Sequence, residues 1–195
     1  MTVYCATGNP GKLREFQLAG RQGGILVETI PGLAGIPPCA ETGATFEANA
    51  VLKAEYYGAS VPGLLFADDS GLEVDALGGA PGVRSARFAG PGATDKANNR
   101  LLLEEMRGVR DRRARFVCVI ALAHGGRLLQ IFRGAVEGQI LEEPRGLNGF
   151  GYDPLFYYPP FGCSFGQAAP EQKLTVSHRG AALRELLRDL SARRV

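Results

Sequence analysis

The sequence has no tryptophan and only two histidines, and its four cysteines, Cys5, Cys39, Cys118 and Cys163, stand far apart with no C-x-x-C pair. Neither a zinc site nor a disulfide framework is readable from such a set, and reduced intracellular thiols are the simplest account. Strong charge of one sign is lacking too. The 22 Lys and Arg against 20 Asp and Glu leave +2, too little for a nucleic-acid footprint. The longest apolar run, residues 116–123, is far too short to span a bilayer. Residues 1–9 lack the charged start and apolar core of a signal peptide. These absences predict a soluble, cytoplasmic protein with no nucleic-acid or membrane partner.

Glycine is what the sequence has in abundance, 27 of 195 residues, giving many turns and many places where bare backbone can approach a ligand. The length suits a single domain over residues 1–195 with ample apolar content for a core. No repeat, low-complexity tract or linker divides it, so any split into lobes is made by folding. Residues 3–6, 25–29 and 64–67 are short apolar runs of strand type. Helical spacing links Leu13, Phe16 and Leu18; then Phe46, Ala50, Ala54 and Tyr57 behind a Thr45 cap; then Leu101 to Met106; and finally Ala182, Leu183, Leu186, Leu187 and Leu190 behind a Ser177 cap. Residues 115–123 and 128–136 read as a hairpin turned at Gly125-Gly126, and the unbroken apolarity of 116–123 predicts a strand covered on both faces. Helices between some strands and a hairpin elsewhere predict an α/β fold, a mixed β-sheet flanked by helices.

Unusual chemistry concentrates in residues 67–90. Asp68 and Asp69 follow the apolar run 64–67, so they are expected at a strand end, with Ser70 and Gly71 turning the chain. Adjacent carboxylates repel unless a cation or hydrogen-bond donors lie between them. A divalent metal would meet that need; so would a turn whose carboxylates cap backbone N–H groups. Downstream, Gly78, Gly79, Ala80, Pro81 and Gly82 precede Arg84 and Arg87, a sequence suited to phosphate oxygens.

Thr7-Gly8-Asn9-Pro10-Gly11-Lys12 joins the first strand to the first helix. Its glycines are too close together for a Walker A loop and Leu13 follows the lysine. It still offers bare backbone, polar side chains and a helix N-terminus, where an anion near Lys12 or plain solvation would offset the dipole. Lys53 lies on the apolar stripe of its helix, either snorkelling or aimed into a cleft. Glu41 sits in a Pro- and Gly-rich loop, an ordinary place for a solvated charge, and matters if folding brings it to Asp69. Phe150-Gly151-Tyr152-Asp153 alternates aromatics with glycine, which fits an open stacking platform or a loop that buries its own rings. Lys173 falls in a short polar connection. His178 and Arg179 open the last helix, where the dipole disfavours cations, so a ligand contact and simple exposure are both open readings.

Together these features form the inventory of a magnesium-assisted nucleoside triphosphate site. On TGNPGK at 7–12, ETG at 41–43, ADDSGLEVDALGGAPGVRSARF at 67–88, FGYDPLF at 150–156 and SHRGAAL at 177–183, the sequence resembles the inosine/xanthosine triphosphate pyrophosphatases over nearly its whole length. The resemblance implies a magnesium-dependent hydrolase converting ITP, dITP or XTP to the monophosphate and pyrophosphate. It also implies an elongated α/β protein of two lobes with a central substrate cleft, and a homodimer. It sets Thr7, Gly8, Asn9, Pro10, Gly11, Lys12 and Lys53 around the triphosphate, makes Asp69 the proton acceptor and, with Glu41, a metal ligand, and brings Ser70 to the substrate. Phe150, Gly151, Tyr152 and Asp153 would cradle the purine, with Lys173, His178 and Arg179 at the base edge. One departure from the family pattern is visible. An acidic residue is expected immediately before Asn49, where Ala48 stands; Glu47 comes one place earlier, about 100° around the helix, off the expected face. A pyrophosphatase for other modified nucleotides and a non-catalytic nucleotide-binding regulator are the alternatives.

Overall fold

Val3 and Cys5 are fully buried in a first strand, and Pro10 starts a helix directly after it, so a parallel neighbour can follow with the helix as its crossover. The computed structural model describes residues 1–193. Their elements run β1 (Thr2–Cys5), α1 (Pro10–Gln22), β2 (Leu26–Thr29), α2 (Phe46–Gly58), β3 (Leu64–Val74), α3 (Asp95–Glu105), β4 (Arg113–His124), β5 (Arg127–Ile140), β6 (Phe156–Tyr158), β7 (Cys163–Ser164), α4 (Pro170–Val176) and α5 (His178–Ala192). They form a mixed seven-stranded sheet in the order β2-β1-β3-β4-β5-β6-β7, flanked by helices. β1 is parallel to β2 and β3, while β6 is antiparallel to β5 and β7. The expected hairpin is present as β4 and β5, and residues 118–123 of β4 are all buried.

The chain forms two compact units. The first comprises residues 1–69, 118–134 and the segment from His178 onward; the second comprises Ser70–Val117 and Ala135–Ser177. Phe16 and Phe66 meet edge to face at 5.0 Å in the first unit's core, and α1 packs against α5. The second unit's core gathers Leu72, Leu102, Met106, Phe116, Leu155, Phe156 and Phe165, with the Phe116 and Phe156 ring centroids 4.5 Å apart.

Two local expectations are corrected and one of two open readings is closed. Asp68 and Asp69 do not end a strand, and Ser70-Gly71 is not a turn: all four lie inside the eleven-residue β3. Lysines from elsewhere satisfy the acidic pair, so the strand can run through it. Gly71 serves close approach instead, since a Cβ there would lie 2.3 Å from Ser85 Oγ, which accepts the Leu72 N–H at 2.9 Å. Leu72 to Val74 complete β3, and a short 3-10 turn, Asp75–Leu77, follows. Lys173 is in a helix, α4, started by Pro170 at its first position; a seven-residue helix is too short to show its period in sequence. His178 and Arg179 are not exposed but 3% and 2% accessible.

Candidate active site

In the first unit, β3 delivers two neighbouring carboxylates into different surroundings. Side chains alternate across a strand, so Asp68 and Asp69 point to opposite faces. Asp68 accepts from Lys12 Nζ at 2.8 Å, its side chain only 1% exposed. Burial alone would raise its pKa, but Lys12, Arg179 and Lys53 outweigh that and hold it below the ordinary value. Asp69 has burial as its largest influence, and the opposing pull of Lys53 and Lys12 does not cancel it, so its carboxyl is pushed up. Adjacent in sequence, the two are opposite in acid strength because they face different numbers of cations.

Lys53 Nζ lies 3.0 Å from Asp69 Oδ1 and 3.0 Å from Glu41 Oε1. Burial disfavours its charge, yet Asp68, Asp69 and Glu41 together keep it protonated above the usual lysine range. The loop that carries Glu41 is tied to α2 at several points. Tyr57 Oη accepts the Cys39 N–H at 3.0 Å, Tyr56 Oη donates to the Pro37 carbonyl at 3.1 Å, and Asn49 Oδ1 accepts the Gly43 N–H at 2.8 Å. Asn49, fully buried, also donates Nδ2 to Asp69 Oδ2 at 3.2 Å. One amide therefore holds both the Glu41 loop and the Asp69 carboxylate. Sequence reasoning passed over it; the available signal was a second polar residue, beside Lys53, on a mostly apolar helical stripe.

The glycine turn behaves as a capped helix start. Asn9 Oδ1 accepts from the Gly11 N–H at 2.8 Å and the Lys12 N–H at 3.1 Å, and Thr7 Oγ1 accepts from the Asn9 N–H at 3.2 Å. Two of the orphan N–H groups are thus satisfied internally, and the anion beside Lys12 is Asp68. Gly8 and Pro10 are exposed, while Gly11 is buried. Arg179 pairs with Glu15 and lies 5.8 Å from the Phe16 ring, so it and His178 belong to this first unit. Glu47, the acidic residue one place before Ala48, pairs with Arg133.

In the second unit Ser70 is half-buried on β3. Lys173 Nζ donates to Asp153 Oδ2 at 2.6 Å, and the same oxygen accepts the Phe150 N–H at 2.8 Å. The ammonium lies 5.2 Å from the Phe150 ring centroid and 5.6 Å from that of Phe165. Tyr152 is buried and donates its hydroxyl to the Ser85 carbonyl at 2.9 Å, leaving Phe150 as the more open ring of the loop. Gly151 takes φ +61°, a left-handed conformation that favours glycine.

Among the described residues no group of three or more His, Cys, Asp or Glu is arranged to hold a metal. Two carboxylate oxygens converging on one cation nevertheless fit magnesium. That ion is commonly bound by one or two carboxylates and completes its shell with substrate oxygens and water.

The model of the Ham1 family matches residues 3–189. The chain is 50% identical over 196 residues to a dITP/XTP pyrophosphatase of Acidobacterium capsulatum, covering 96% of this chain and 97% of that one. It is 50% identical over 189 residues to a dITP/XTP pyrophosphatase of Thermus thermophilus, covering 96% and 90%. Among solved structures it is similar to the Staphylococcus aureus Ham1 protein, with TM-score 0.87 at 40% identity over 99% of this chain and 100% of that one. A Mycobacterium abscessus protein described as a nucleoside-triphosphatase / dITP/XTP pyrophosphatase gives TM-score 0.73 at 38% identity over 96% and 99%. Agreement of sequence and fold along almost the entire length leads to one conclusion: the chain belongs to the Ham1 family.

Proposed function

We propose that this protein is a nucleoside triphosphate pyrophosphatase that hydrolyses dITP, ITP and XTP to the monophosphate and pyrophosphate, removing aberrant purines from the nucleotide pool. The observation that carries the reading is the convergence of Asp69, Glu41 and Lys53 at hydrogen-bond distance, with the Lys12–Asp68 pair on the same unit. Full-length relatives named dITP/XTP pyrophosphatase supply the substrate class.

Glu41 and Asp69 would hold magnesium, whose chemistry when bound is to withdraw charge from phosphate oxygens. Asp69, its pKa raised by burial, accepts the proton of a water that attacks the α-phosphorus. The bond from that phosphorus to the bridging oxygen breaks, and pyrophosphate leaves with the electron pair. Lys12 and Lys53 neutralise the charge gathering on the leaving group, while Thr7 to Gly11 and Ser70 line the phosphates. The base falls to Phe150–Asp153 and Lys173, whose ammonium donates to a 6-keto oxygen and would oppose the amino group of adenine. His178 and Arg179 support the base edge in this reading. On the family resemblance we also read a cytoplasmic homodimer, which light scattering on the purified chain tests.

The deciding assay incubates the chain and magnesium with a panel of triphosphates. Pyrophosphate released from ITP, dITP and XTP, little from ATP, and none at all with Asp69→Asn is the expected result. Release of orthophosphate, turnover of modified pyrimidines only, or full activity of Asp69→Asn overturns it.

A further inference from the structure

α3 carries two adjacent asparagines in its interior, Asn98 and Asn99, a residue type that disfavours helix because its side chain competes for nearby backbone groups. Asn98, 3% exposed, accepts the Ala89 N–H at 2.8 Å and donates to the Ala86 carbonyl at 3.2 Å, holding the chain that leaves the 3-10 helix Gly82–Arg87. Asn99, about 100° further round, donates Nδ2 to the Gly151 carbonyl at 3.0 Å. Asp95, four residues earlier on the same face, accepts the Gly151 N–H through Oδ2 at 2.7 Å. One helix face therefore grips both the N–H and the C=O of a single glycine, and that glycine sits between Phe150 and Tyr152. Among the described residues Asn99 Oδ1 is buried without a hydrogen-bond partner, so the Nδ2 bond to Gly151 is the one that anchors this side chain.

We infer that Asp95 and Asn99 are positioning residues that set affinity for the base: by clamping Gly151 they fix the Phe150 ring and the Asp153–Lys173 pair in the arrangement the base meets. The inference rests on the proposed reading in which Phe150–Asp153 and Lys173 receive the base. A loop released at Gly151 samples other orientations of Phe150, which weakens the grip on a purine and leaves Lys12 and Lys53, read above as phosphate contacts, untouched.

The test measures ITP hydrolysis by Asn99→Ala, Asp95→Ala and Asp95→Asn, with inorganic tripolyphosphate as a competitor that carries phosphates and no base. Loss of one such bond predicts KM for ITP raised about five- to tenfold in both alanine variants. In both, kcat stays near the parent's and the tripolyphosphate inhibition constant does not move. Asp95→Asn keeps an acceptor oxygen and stays within about twofold of the parent. Unchanged KM in both alanine variants overturns the clamp, and so does an inhibition constant that rises in step with KM, which marks a general structural role. If the parent hydrolyses ITP and the variants match it, the clamp alone fails; if the parent turns over no purine triphosphate, the proposed function fails and the clamp with it.

Discussion

Asp68→Asn and Asp69→Asn, one residue apart, are expected to differ in their effect on metal-free protein, the first destabilising it and the second leaving its stability nearly unchanged. Asp68→Asn removes a charge-assisted hydrogen bond from Lys12 at 2.8 Å, in a pair whose side chains are 16% and 1% exposed. A hydrogen bond to a charged group contributes about 1.5–3 kcal/mol, and each kcal/mol moves the midpoint of a domain this size by about 2–4 °C. The expected fall in Tm is about 3–12 °C. Asp69→Asn removes a carboxylate whose ionisation burial already opposes, a gain at neutral pH. Its new amide nitrogen must face either Lys53 Nζ or Asn49 Nδ2, donor against donor, at a cost of about 1 kcal/mol. The two effects offset, so Tm should stay within about 3 °C of the parent while turnover vanishes.

The pH dependence separates the pair further. Asp68 has a folded pKa below the model value of 3.8, so its contribution is present above that value and is lost as pH falls through the lower folded one. Asp69 has a folded pKa above 3.8, so its contribution is full below 3.8 and is lost as pH rises through the folded value. Urea unfolding in chelator across the acid range where carboxylates titrate should show Asp68→Asn falling behind the parent as pH rises from the folded Asp68 pKa to 3.8, and keeping that gap at higher pH. Asp69→Asn should gain on the parent in the next interval, as pH rises from 3.8 through the higher folded Asp69 pKa, and hold level above it. Equal losses for the two variants at neutral pH, or a gap for Asp68→Asn that closes with rising pH, would refute the assignment of the two carboxylates to different roles.

Asn49→Ala takes a partner from both the Gly43 N–H and Asp69, and activity should drop about 10- to 100-fold while Lys53 still pairs with Asp69; steady-state kinetics check this. Gly71→Ala would set a Cβ 2.3 Å from Ser85 Oγ and 2.6 Å from the Gly82 carbonyl, an overpacking expected to cost about 1–3 kcal/mol in thermal unfolding. In thiol titration of native protein at mildly alkaline pH, Cys39 and Cys163 should react. Cys118, pushed up to about 12 by burial, and Cys5, raised well above its usual value, should react only after denaturation.

What the sequence determined by itself was the alternation of strand and helix, the hairpin at Gly125-Gly126, the strand at 116–123 whose residues 118–123 are all buried, and the short motifs that mark the family. Each is written in local spacing: period and apolarity declare which face is buried, whatever the rest of the chain does. Tertiary structure decided the partners. Lys12 meets Asp68 across 56 positions, Lys53 joins Glu41 to Asp69 across 12 and 16, and Gly151 is held by Asp95 across 56. The same remoteness explains the misread turn at Ser70-Gly71. Two adjacent aspartates look like the end of a strand until distant lysines satisfy them, and a glycine looks like a hinge until Ser85 packs against it. A charge advertises its sign in the sequence. Whether it is buried, and therefore which way its pKa moves, depends on the cations that folding brings within reach.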